Sequence, residues 1–115
     1  MKSPLDYALG LIGEEAIEIA KEEHKCDRFG PEDARPTTKV PNLQSLQDEL
    51  TDLMAAVRIT NMELERRGMP PLRLDDETGI RKKIDRVIFY AHRSMRNKRL
   101  AAPLLIMGTT APQQD

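Results

Sequence analysis

Residues 5–22 read LDYALGLIGEEAIEIAKE, and the spacing within this stretch decides the fold. Leu5, Leu9, Ile12, Ala16 and Ile19 recur at steps of four and three, the period of one face of an α-helix. Ser3 offers an N-cap and Pro4 suits the first helical position, so a helix is expected from Pro4 to about Cys26. Glu15 and Glu18, three residues apart, are neighbours on one flank of that stripe. At 100° per residue Glu22 falls on the same flank.

The pattern repeats. Leu46, Leu50, Leu53, Val57 and Leu64 mark a second helix over Leu43–Arg67, capped by Asn42 and ended by Gly68 and Pro70-Pro71. Glu49 and Asp52 flank its stripe, with the small Ala56 beside them. Ile80, Ile84, Val87, Ile88, Ala91 and Met95 give a third helix, capped by Asp75 or Asp76 and reaching Met95. Lys82, Lys83, Arg86 and Arg93 make much of its remaining surface basic. Between the first two helices, residues 27–42 are punctuated by Gly30-Pro31, Arg35-Pro36 and Pro41-Asn42. A connection this long is expected to form a lid or carry a short extra turn. After Leu100 the periodicity fades: Ala102-Pro103 breaks any helix, and Leu104–Met107 is a short apolar patch. A mobile tail is expected from Gly108. The reading is therefore all-α, with a helical domain over residues 1–100 and a tail over 101–115.

Composition agrees with that class. Aromatic residues are only 3% of the 115 and Trp is absent, whereas a sheet protein wants more β-branched and aromatic residues. A chain of this length supports one core, and a second copy would help to cover it. The formal net charge of -1 gives no attraction to nucleic acid or to an anionic membrane. A lone Cys26 excludes an intrachain disulfide and gives no zinc spacing, which suits a reducing compartment. No apolar run approaches membrane-spanning length, and the N-terminus lacks the pattern of a signal peptide. A cytoplasmic location is expected.

Like charges beside an apolar stripe need a cause. Two carboxylates about 6 Å apart at an effective dielectric of about 20 repel by roughly 3 kcal/mol. A single acidic pair is commonly just a solvated flank. Two pairs, each bordering its stripe, point to an oxygen-only site for Mg²⁺, with Mn²⁺ able to substitute. A di-iron bundle would need Glu-x-x-His, and the residues three before His24 and His92 are Lys21 and Phe89. No phosphate-cradling Gly-rich loop, Ser-His-Asp set or Cys-His pair is present. The basic third helix is either a solvated face or the counter-charge that a bound polyanion requires.

The strings Glu14-Glu15-Ala16-Ile17-Glu18 and Glu49-Leu50-Thr51-Asp52 resemble the Glu-Glu-x-x-Glu … Glu-x-x-Asp signature of the all-α nucleoside triphosphate pyrophosphohydrolases, the MazG-like proteins. The resemblance covers roughly Leu9 to Tyr90. It implies a helical bundle completed as a homodimer or homotetramer. It also implies Mg²⁺-dependent cleavage of a nucleoside triphosphate to the monophosphate and pyrophosphate. Carried over by position, Glu15, Glu18, Glu49 and Asp52 become metal ligands, and Glu14 becomes a possible accessory. Lys83 and Arg86 are the closest counterparts of the family's substrate-binding residues, although Val87 stands where some relatives have Asn. The spacer before Glu49 is longer than usual in the family. Stacking on the base falls to Tyr7, Phe29, Phe89 or Tyr90. The implied mechanism is metal-assisted attack of water at the α-phosphorus, with the general-base role open between Glu15 and Glu18. The rival from another class is a non-catalytic helical interaction or nucleotide-binding module that keeps the acidic pairs.

Overall fold

A computed structural model of the protein describes residues 1–108; most of the expected mobile tail lies outside the described residues. Regular structure consists of α1 (Pro4–Phe29), α2 (Asn42–Arg66), α3 (Glu77–Arg96) and one 3₁₀ turn at Leu105–Met107. Among the described residues there is no strand, only an isolated antiparallel bridge between Ala34 and Pro41. The all-α expectation is met. The chain divides into two compact units, Met1–Leu72, which holds α1 and α2, and Arg73–Asp115, which holds α3.

α1 begins as the sequence predicts. The Ser3 hydroxyl oxygen accepts the Asp6 N–H at 3.1 Å, and Pro4 occupies the first turn. The helix continues to Phe29 instead of stopping near Cys26, because no breaker precedes Gly30. Gly30 turns the chain at φ 99°, a conformation that favours glycine, and donates its N–H to the Cys26 carbonyl at 2.9 Å.

Asn42 does not cap α2. Pro41 stands at the cap, and Asn42 is the first helical residue, buried against the end of α1. Its side-chain amide donates to the Gly30 carbonyl at 3.0 Å and to the Lys25 carbonyl at 3.4 Å. A side-chain amide carries two donors, so Asn42 reaches both carbonyls at once. The backbone reinforces the join. Asn42 N–H donates to Asp33 O at 2.7 Å, and Leu43 N–H donates to Pro31 O at 2.9 Å. These bonds make α1 and α2 an antiparallel hairpin and tie the connection at both ends. A further turn, Lys39 N–H to Arg35 O at 2.9 Å, lies within it.

α1 packs along α2. The most deeply buried residues of the pair are Ala8, Ala56 and Thr60, whose small side chains permit close approach of the two axes. The Thr60 hydroxyl is satisfied by donating to the Ala56 carbonyl at 2.8 Å. Leu5, Val57 and Leu64 are buried beside them.

The buried face of α1 meets the expected stripe in part: Leu5, Ile12 and Ile19 are buried or half-buried, and Ala8, Glu15, Glu18 and Glu22 of the neighbouring flank are among the other residues turned inward. Leu9 is 45% exposed, and Ala16 is exposed as well. On α2, Leu46, Leu53, Val57 and Leu64 are at least half-buried, but Leu50 is 40% exposed. The carboxylate-bearing face of α1 therefore packs inward, and part of the apolar stripe is left facing out. In the second unit, Asp76 caps α3 by accepting the Gly79 N–H at 3.1 Å. Ala91 is buried and Ile84, Ile88 and Met95 are half-buried, while Ile80 and Val87 remain exposed. Among the described residues no helix is long and apolar enough to cross a membrane.

The Asn42 tether has a measurable weight. Asn42→Ala removes the side-chain donors from two part-buried carbonyls and should cost about 1–3 kcal/mol. Asn42→Asp, which sets an acceptor against those carbonyls, should lower the thermal midpoint further. Midpoints equal to that of the native chain in both variants would mean that the hairpin does not depend on this residue.

Candidate metal centre

The hairpin brings the two acidic motifs together. Glu15, on the packed face of α1, meets Glu49 and Asp52 of α2, and one oxygen from each lies within 4.8 Å of the other two. Glu15 and Glu49 are half-buried, and Asp52 is exposed. One oxygen of Glu15, Oε2, is buried without a hydrogen-bond partner. Among the described residues no Lys or Arg forms an ion pair with any of the three. Burial pushes the Glu49 carboxyl above its ordinary pKa, and the charges of Asp52, Glu15 and Glu18 push it the same way.

Glu18 is brought close enough to raise Glu49 by its charge, yet its side chain is turned to Lys21, whose Nζ lies 3.1 Å from Glu18 Oε1. Three of the four expected ligands thus converge, with the fourth beside them and engaged by a lysine. Glu14 is exposed and is not one of the converging groups. Lys83 and Arg86 lie exposed on α3, in the second unit, where Lys83 lines a shallow cleft with Arg73, Asp76 and Ile84. Of the aromatic candidates, Phe89 and Tyr90 meet edge to face at 5.3 Å between centroids. The Arg28 guanidinium lies 5.4 Å from the centre of the Phe29 ring.

The donor set fits a hard divalent cation. An octahedron of oxygens about 2.1 Å from Mg²⁺ places neighbouring oxygens about 3 Å apart and opposite ones about 4.2 Å apart. Three carboxylate oxygens mutually within 4.8 Å lie close to that spacing. An orphaned carboxylate oxygen and a carboxyl raised by its like-charged neighbours are what such a cation would relieve.

Sequence reasoning left one neighbourhood unassembled. A cavity of about 210 Å³ opens beside the cluster, lined by Glu22, Lys25, Arg35, Asn42, Ser45 and Asp48, with Thr38 and Val40 completing its wall. Glu22 was visible as a third acid on the α1 flank, and Lys25, three residues on, was the available signal for a pair. The loop residues Arg35 and Thr38 carry no pattern that places them there. Comparisons with protein-family models, with curated proteins and with solved structures found no match.

The raised Glu49 has a sign that can be tested. A carboxyl with a higher pKa folded than unfolded favours the folded state while protonated, and that advantage is lost as pH rises through the raised value. Metal-free protein should therefore lose stability from the ordinary glutamate range upward, and Glu49→Gln should flatten that slope. Saturating Mg²⁺ should raise the thermal midpoint of the native chain much more than that of Glu49→Gln, since a ligand held only by the folded state stabilises it. Parallel pH curves and no shift with metal would dissolve the cluster into separate solvated acids.

Proposed function

We propose that the protein is a divalent-metal-dependent nucleoside triphosphate pyrophosphohydrolase of the MazG-like kind. The observation that carries this reading is the convergence of Glu15, Glu49 and Asp52, from two separate motifs, without an ion pair to Lys or Arg among the described residues. A structural cluster of acids would be expected to recruit Lys or Arg, as Glu18, Glu22 and Glu63 do with Lys21, Lys25 and Arg66. Glu15, Glu49 and Asp52 are aligned with the motif and converge without such a partner, whereas Glu18, also of the motif, keeps its lysine.

In this reading Glu15, Glu49 and Asp52 hold the metal, Mg²⁺ or Mn²⁺, and through it the triphosphate. When bound, the metal neutralises phosphate oxygens and makes a coordinated water more acidic. The chain's own work is positioning and proton handling. Water attacks the α-phosphorus, the bond to the α,β-bridging oxygen breaks, and that oxygen leaves with pyrophosphate. Glu18, beside the three and partly solvated, is placed to take the proton from the attacking water once it releases Lys21. Lys83 and Arg86 are retained as candidate phosphate contacts on the strength of the resemblance alone.

The same reading includes a bundle completed by a second copy. Leu9, Ala16 and Ile17 of α1 are exposed, as are Leu43, Leu50 and Met54 of α2. At 100° per residue in an antiparallel pair, these residues lie on one side of the hairpin, and Glu18 and Asp52 project from the other. Covering the apolar side with a second copy, as dimer or tetramer, leaves the acidic side open to substrate.

Glu49→Gln should abolish most pyrophosphate release from a panel of NTPs and dNTPs with Mg²⁺ while leaving helical content intact. Glu63→Gln, which loses only a pair with Arg66 on the same helix, should behave like the native chain. Equal activity in the two variants, or none in the native chain, sinks the enzymatic reading in favour of a non-catalytic module. Leu50→Glu should separately reduce the solution mass to that of one chain. A native chain already monomeric at micromolar concentration would remove the assembly.

A further inference from the structure

We propose that the outward face of α3 binds single-stranded nucleic acid, with Lys82, Lys83, Arg86 and Arg93 meeting phosphates and Phe89 and Tyr90 stacking on bases. Such binding needs neither a metal nor a triphosphate, so it goes beyond the enzymatic reading.

The formal net charge of -1 averages over unlike segments. From Arg81 to Arg99 the chain carries eight Lys or Arg and one acid, Asp85, while the rest of it carries ten and eighteen. Attraction to a polyanion follows local charge, not the sum over a chain. At about 100° per residue, Lys82, Lys83, Arg86, Phe89, Tyr90 and Arg93 fall within one sector of α3 about 120° wide. All six are exposed. Glu77 and Asp85, the two acids of the helix, lie outside that sector. The buried or half-buried Ile84, Ile88, Ala91 and Met95 occupy the opposite one.

These cations are not accounted for within the chain. Among the described residues none of Lys82, Lys83, Arg86 and Arg93 forms an ion pair. Lys82 and Lys83 stand four and three residues before Arg86, spacings at which like charges repel on a helix. The helix dipole favours Arg93, in the last turn, but does nothing for the other three. A face that served only solubility would alternate its charges, as α1 does with Glu18–Lys21 and Glu22–Lys25.

The rings select the kind of polyanion. Phe89 and Tyr90 are 51% and 59% exposed, large apolar surfaces left in water between the cations. Lys82 and Arg93 lie about 16 Å apart along the axis, with both rings between them. Flat rings among cations match a ligand that carries flat bases along a chain of phosphates. An acidic peptide has the charge without the bases. In a duplex the bases are already stacked on one another, so an unpaired strand fits the rings better. An anionic membrane fits poorly, because a surface-bound helix inserts its apolar face, and most apolar residues of α3 are turned inward.

The test titrates a labelled single-stranded DNA of about 16 nucleotides with the full chain in metal-free buffer. Four phosphate contacts predict a slope of about −3 in log K against log salt, or about fiftyfold weaker binding between roughly 50 and 200 mM. Lys83 and Arg86 are shared with the triphosphate reading, so the charge variant is Lys82→Gln with Arg93→Gln, which should reduce the slope by about 1.4. Phe89→Leu with Tyr90→Leu keeps apolar bulk but removes the flat faces. It should weaken single-strand binding by about tenfold or more and leave binding of the same sequence as a duplex nearly unchanged. If either variant loses helical content, the native chain decides, and it should prefer the single strand to the duplex, to polyglutamate and to phosphatidylserine vesicles. No binding at low salt, a slope unmoved by the loss of two cations, or equal affinity for single strand and duplex would each overturn the inference. Tighter binding of polyglutamate or of the vesicles would overturn it too, in favour of an acidic protein or a membrane. No catalysis enters the readout, so the outcome is separate from that of pyrophosphate release.

Discussion

The repulsion among Glu15, Glu49 and Asp52 is the constraint around which the first unit is arranged. Glu15 and Glu49 share the face where α1 meets α2, with the exposed Asp52 at its edge, and Glu15 has a buried oxygen without a hydrogen-bond partner. Such a face cannot hold the helices together by itself. The contact is sustained from its two ends. Leu5, Ala8, Val57, Thr60 and Leu64 pack toward the start of α1, and Asn42 ties its last turn to α2. The acids sit between these anchors, where the helices are fixed in register and cannot separate to relieve them.

That arrangement explains what could be read in the sequence and what could not. Helix identity followed from local rules, because Ser3, Pro4, Gly30, Gly68 and Asp76 act within a turn of their own position. The motif acids were legible for the same reason, since spacings of three fix neighbours on a helix. The facing of α1 was legible in part, with Leu5, Ile12 and Ile19 inward as expected and Leu9 and Ala16 outward. Leu9 and Ala16 complete an apolar stripe as regular as the true one, and periodicity alone cannot rank two overlapping faces. The choice is made by what α2 presents, and that is a tertiary matter. Asn42 was misread on similar grounds. Its residue type suits a cap, but the carbonyls of Lys25 and Gly30 are distant in sequence and compete successfully for its amide.

The outward-turned apolar residues and the inward-turned acids have one origin. A face rich in carboxylates is placed against α2, so hydrophobic area that would otherwise fill the contact appears on the other side of the hairpin. Burial that one chain forgoes becomes available to a second copy, at roughly 25 cal/mol for each Å² covered. In the proposed reading, site formation and assembly would then be opposite sides of a single rotation of α1 about its axis.

The pairing of charges along α1 follows the same logic at finer scale. Glu18 with Lys21 and Glu22 with Lys25 are both three-residue pairs, yet they differ in exposure. Glu18 is 43% exposed, so solvent screens its lysine contact and little is lost when that contact is exchanged for another. Glu22 and Lys25 are more enclosed, and their mutual attraction is screened less. In the proposed mechanism Glu18 would therefore be the acid that exchanges its lysine for another partner. Glu22, enclosed and paired with Lys25, exchanges partners less readily.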